Sequence, residues 1–84
     1  MVGFEKGHLM QKLKQFTAII EKEEDMYVAL CPELDIASQG YTVEEARNNL
    51  KEAIELFFEN ASAPEIKERL HDEVFITRFE AAVG

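Results

Sequence analysis

Apolar and polar positions along the chain fall first into a strand rhythm and then into a helix rhythm. Over residues 15–21, Phe16, Ala18 and Ile20 fall on one side of an extended chain and Thr17 and Ile19 on the other. Glu23, Glu24 and Asp25 follow as an acidic, solvated turn. Over residues 26–31 the alternation resumes, Met26, Val28 and Leu30 against Tyr27, Ala29 and Cys31. Pro32 then removes a backbone donor and stops the ladder. The two segments read as a hairpin. After a loop at Glu33 to Asp35, residues 36–41 suit a third short strand, with Gly40 at its end, where a turn residue with permissive backbone angles is useful.

The period then changes. Thr42 is an N-cap candidate with Glu45 three residues on, the spacing of a capping box. Val43, Ala46, Leu50, Ala53, Ile54 and Phe57 recur at intervals of three and four, which predicts about eighteen residues of helix, or roughly 27 Å, with one apolar stripe to lay on a sheet. Asn60, Ala61, Ser62, Ala63 and Pro64 end it, and residues 65–70 suit one or two further helical turns. Over residues 74–79, Val74, Ile76 and Arg78 alternate with Phe75, Thr77 and Phe79, which predicts a last strand. The order strand, strand, strand, helix, strand is that of an α+β domain with one antiparallel-dominated sheet covered by one main helix.

Charge adds a functional constraint. The 84 residues carry nine Lys plus Arg against seventeen Asp plus Glu, a formal net of −8. Residues 1–14 read as a basic arm or short helix, with Lys6, Lys12 and Lys14 against Glu5, so residues 15–84 carry −10. Nucleic-acid binding rests on Lys and Arg displacing counterions, and membrane surfaces are themselves anionic; neither is an expected direct partner. An apolar fraction of 46% with six Phe and two Tyr supports a folded core. A single domain of this size buries a modest share of its surface, so self-association is expected. One cysteine permits no intrachain disulfide, and no apolar run approaches a membrane span or a signal sequence, so the expected location is the cytoplasm.

The chemistry-bearing residues are sparse. Cys31 lies on a strand among apolar neighbours and reads as a buried structural thiol. His8 and His71 have no partners at metal-ligand spacing, and His71 with Asp72 has no nucleophile placed near it. No catalytic residue, metal site or cofactor is therefore expected. The helix is more telling: Arg47 and Lys51 occupy its first half, whereas Glu52, Glu55 and Glu59 crowd the C-terminal half, where the helix dipole favours cations.

Several strings together resemble the HicB family, the antitoxin halves of HicA–HicB toxin–antitoxin pairs and their stand-alone relatives. They are Phe16-Thr17-Ala18-Ile19-Ile20-Glu21, Tyr27-Val28-Ala29-Leu30-Cys31-Pro32-Glu33-Leu34, Ser38-Gln39-Gly40 with Thr42, Glu44-Glu45-Ala46, Asn49-Leu50 and Glu52-Ala53-Ile54-Glu55-Leu56. Pro32, Gly40, Thr42 and Glu45 belong to the shared pattern as structural residues. Asp35-Ile36 stands where many members have Pro-Gly, and Asp25-Met26 where a turn glycine is common. The resemblance implies a HicB-like domain over residues 15–84 with a partial RNase H-like β-β-β-α-β fold. It also implies a non-enzymatic role: masking the active surface of a small, basic, mRNA-cleaving HicA-type toxin. Two-domain members carry a further DNA-binding domain; none is expected here. Against a basic toxin, Glu33, Asp35, Glu52, Glu55 and Glu59 would supply complementary potential. Two other readings are an orphan HicB-like oligomeric adaptor without a toxin and a metal-dependent RNase H-like nuclease. The nuclease needs inward carboxylates, which the expected strand interiors lack.

Overall fold

The computed structural model describes residues 13–84. Most of the expected N-terminal arm, residues 1–12, lies outside them. Three strands form one antiparallel sheet in sequential order: β1 (Ile19–Glu23), β2 (Met26–Cys31) and β3 (Ile36–Gly40). Helix α1 (Val43–Asn60) and a short helix α2 (Ala63–Arg69) follow. The β-β-β-α arrangement of the expected fold is present.

The ladder explains where the first strand begins. Ile19 pairs with Leu30, so Thr17 comes level with Pro32, which has no N–H to offer. Regular pairing therefore starts at Ile19, four residues after the sequence pattern suggested. At the other end β1 runs on through Lys22 and Glu23, because Glu23 pairs with Met26 and the hairpin needs only Glu24 and Asp25 to turn. Glu24 takes a φ of 56°, the left-handed value required at the first central residue of a tight hairpin turn.

Register assigns the faces. Tyr27, Ala29 and Cys31 of β2 lie beside Gly40, Ser38 and Ile36 of β3, and this side faces α1. Ala29, Cys31, Leu34, Ala46, Leu50 and Ile54 are buried, ringed by half-buried Phe16, Ile20, Tyr27, Ile36, Phe57, Phe58 and Leu70. Only three of the six buried residues are larger than cysteine, at about 1.5–3 kcal/mol for each fully buried side chain. The core is thin. Helix α1 lies mainly over β3, less over β2 and barely over β1.

Gly40 sits where the helix comes closest. A Cβ there would lie 2.6 Å from the Ala46 nitrogen and 2.8 Å from the Glu45 carbonyl carbon. Its φ is not positive, so the residue is required for close approach rather than for the permissive backbone expected of it. The Thr42 hydroxyl accepts from the Glu45 amide at 3.0 Å, but the Glu45 carboxylate accepts from the amide of Tyr41 instead of Thr42. The cap is therefore spread over one more residue than a capping box. Ser62 and Glu65 form a complete one at the start of α2, with Pro64 in the first turn.

The last strand is the point of departure. Residues 71–84 have no regular secondary structure, and none of the described residues pairs with 74–79. The amide of His71 donates to the Glu33 carbonyl at 2.7 Å, and Asp72 meets Lys14 at 3.1 Å. Beyond that tether Phe75 is 83% exposed and Phe79 88%. Alternation encodes a capacity to pair, and the partner strand is not supplied within the described residues.

Candidate protein-docking surface

The turn after β2 is built from Pro32, Glu33, Leu34 and Asp35. The amides of Leu34 and Asp35 both donate to the Cys31 carbonyl, at 3.3 and 2.8 Å, and Asp35 takes a φ of 57°. This tight return buries Leu34 completely. It also aims the Glu33 carboxylate back at the sheet, where it accepts from the Thr17 amide at 3.0 Å, the Thr17 hydroxyl at 2.6 Å and the Cys31 thiol at 3.2 Å. Partial burial works against the Glu33 charge, but the Thr17 hydroxyl and amide and the Cys31 thiol outweigh it and hold the carboxyl below its ordinary range. Burial, and then the hydrogen bond to this carboxylate, push the Cys31 thiol upward. Cys31 is a free, buried, protonated thiol with structural duties.

Arg69 fastens this turn to the helices. Its Nε donates to the Leu34 carbonyl at 3.0 Å and its Nη2 to the Asp35 carbonyl at 3.3 Å, while the guanidinium lies 5.7 Å from the centre of the Phe57 ring. One side chain thus holds α2, the C-terminal half of α1 and the 32–35 turn together.

On the outside of α1, Glu52, Glu55 and Glu59 are exposed and follow one another at intervals of three and four. They form one stripe, on the opposite side of the helix from Ala46, Leu50 and Ile54. Lys51 reaches Glu55 at 3.3 Å, an exposed pair of small energetic weight. The last turn of α1 has no basic residue to balance its dipole. Leu56 is 57% exposed beside the stripe. On the other side of the molecule the open face of the sheet has a shallow depression lined by Val28, Ala37, Ser38 and Gln39.

The five acidic positions singled out from sequence therefore divide. Glu52, Glu55 and Glu59 share a solvent-facing stripe. Asp35 is exposed at the turn, joined to the C-terminal half of α1 through Arg69. Glu33 turns inward and its carboxylate is occupied. Pro32, Gly40, Thr42 and Glu45 shape the turn, the helix approach and the cap. Sequence reasoning missed Leu34, placed in a loop, and Arg69, whose carbonyl partners lie 34 and 35 residues away. The Ser62 cap was visible as Ser, Pro and Glu at positions 62, 64 and 65.

Observed β1 also includes Glu21 and Glu23, beyond the expected strand interior; both lie on the open face. Among the described residues no group of three or more His, Cys, Asp or Glu could hold a metal ion. No helix among them is long and apolar enough to cross a membrane.

Comparison with known proteins gives this surface a family context. A UPF0150 protein of Helicobacter pylori is 48% identical over 50 residues, which are 58% of this chain and 69% of that one. A UPF0150 protein of Synechocystis is 46% identical over 55 residues, covering 63% of this chain and 70% of the relative. The chain belongs to the UPF0150 family. A second Synechocystis UPF0150 protein is 50% identical over 48 residues, 55% of this chain and 67% of its own length. No family profile and no solved structure matches this UPF0150 chain.

Proposed function

We propose that this UPF0150 protein is a HicB-like, non-enzymatic binding module of the cytoplasm that neutralises a small, basic, mRNA-cleaving HicA-type toxin by covering its active surface. The observation that carries this reading is the stripe Glu52, Glu55 and Glu59. Three carboxylates line the C-terminal half of α1 with no cation in the last turn. Glu59, in that turn, costs a few tenths of a kcal/mol locally, while Glu55 is offset by Lys51. Against a phosphate-binding protein the same charges steer association and occupy the surface that RNA would use. The β-β-β-α fold and the −10 carried by residues 15–84 support the same reading.

The experiment is a search of the adjacent reading frame for a short, basic, histidine-containing product and its co-expression with this chain. Co-purification of the two, with growth restored, is the expected result; a toxin that remains free and toxic removes the antitoxin function. An oligomeric adaptor without a toxin is the second reading. It is favoured by one observation, the unpaired apolar segment at residues 74–79.

A further inference from the structure

We propose that residues 74–79 are a donated strand, which adds to the free outer edge of β1 in a second copy of this chain so that two molecules close each other's sheets. The segment Val-Phe-Ile-Thr-Arg-Phe has strand-forming composition throughout and contains neither Gly nor Pro. Six residues match the five of β1. Phe75, Ile76 and Phe79 are 83%, 54% and 88% exposed, and such a stretch left in water is a template for pairing.

The two edges of the sheet are not equivalent. At β3 the outward carbonyl of Gln39 is already taken by the Asn49 side chain at 2.8 Å, and α1 lies over that strand. At β1, pairing alternates from the hairpin end. With Glu23 and Met26 closing the turn, the backbone groups of Ile20 and Lys22 point outward, away from β2. The helix also leaves this side of the core thinly covered, bordered by half-buried Phe16, Ile20, Phe57, Phe58 and Leu70.

The donated strand fits that gap on both faces. Phe75, Thr77 and Phe79 share one side and would finish the aromatic border begun by Phe16 and Phe58, whose ring centres are 5.8 Å apart. Val74, Ile76 and Arg78 share the other and would extend the open face beside Ile19, Glu21 and Glu23 of β1. Apolar residues then meet the apolar end of β1, and Arg78 meets its acidic residues. Asp72 is held by Lys14, five residues before β1 begins, yet residues 74–79 pair with no strand among the described residues of their own copy and Phe75 and Phe79 stay exposed, which leaves the free β1 edge to a second copy. In a reciprocal exchange the four phenylalanines would bury about 600–1,000 Å², and with the backbone and aliphatic residues the interface reaches the range of a specific dimer.

The test combines mass with amide exchange on the full chain. Sedimentation equilibrium should show a dimer or higher oligomer, with the Ile20 and Lys22 amides protected. Dilution should release a monomer in which both exchange at least about tenfold faster. The double variant Phe75→Asp/Phe79→Asp, at positions exposed in the monomer, should be monomeric with its helical circular dichroism intact. Three results would overturn the proposal. One is a monomer at all concentrations with Ile20 and Lys22 unprotected. Another is a monomer in which they are protected at every concentration, meaning that the strand closes its own sheet. The third is an oligomer that the double variant leaves intact. Because dilution needs no substitution, misfolding of the variant would not spare the proposal.

Discussion

Replacing Gly40 with alanine tests how the helix is seated on the sheet. The added methyl would lie 2.6 Å from the Ala46 nitrogen, 2.8 Å from the Glu45 carbonyl carbon and 2.9 Å from the Glu45 Cβ. None of these can rotate aside as a long side chain could. The first turn of α1 must retreat, lifting Ala46 and Leu50 from Ala29 and Cys31 and stretching the 2.8 Å bond from Asn49 to Gln39. Overpacking of this kind costs about 1–3 kcal/mol, and with no flexible neighbour to yield, the upper half, about 2–3 kcal/mol, is expected. For a domain of this length that corresponds to a fall in melting temperature of roughly 8–24 °C. Thermal and urea denaturation at one fixed protein concentration would measure it, the concentration being held because association shifts apparent stability. A loss below about 0.5 kcal/mol, the range of an ordinary surface substitution, would refute the close approach. Because the Gly40 φ is not positive, backbone strain would not account for a large loss.

Glu24→Gly relieves a left-handed residue and removes one charge from an acidic turn, so a gain of about 0.5–1 kcal/mol in denaturant titration is expected; a loss would contradict the turn geometry. The Glu33 carboxyl is held below its ordinary range in the fold, so its contribution is complete above that range and disappears as pH falls through the lowered value. Thr17→Val should therefore lower stability near neutrality and flatten the acid limb of the stability–pH curve, whereas an unaltered limb would mean that the network does not stabilise the charge. Changing Glu52, Glu55 and Glu59 together to Gln should slow association with the proposed HicA-type partner and weaken its dependence on salt, which stopped-flow mixing reads directly; unchanged kinetics would remove this stripe from the interface.

The parts of the structure that were legible in the sequence are those set by local rules. Alternation gave three strands, and spacings of three and four gave α1 with Ala46, Leu50 and Ile54 as its buried stripe. What could not be read depends on register or on distant contacts. The late start of β1 follows from which residue faces Pro32, a fact of pairing rather than of pattern. Leu34 is buried because two amides share the Cys31 carbonyl and fold the turn inward. The same turn commits the Glu33 carboxylate to Thr17 and Cys31, and composition counts a carboxylate without saying what it accepts from. Arg69 was invisible because its partners are backbone carbonyls. The fourth strand shows the limit most clearly: residues 74–79 have the sequence of a strand, and only the fold shows that no partner for them lies among the described residues.

The most direct test of the antitoxin account is to express a small basic product found in the adjacent reading frame and follow its RNA cleavage while the purified 84-residue protein is titrated in. Cleavage should fall in proportion to the added protein and stop near stoichiometric equivalence, as occlusion of an active surface requires. Cleavage that continues unchanged in the presence of excess protein would contradict the account.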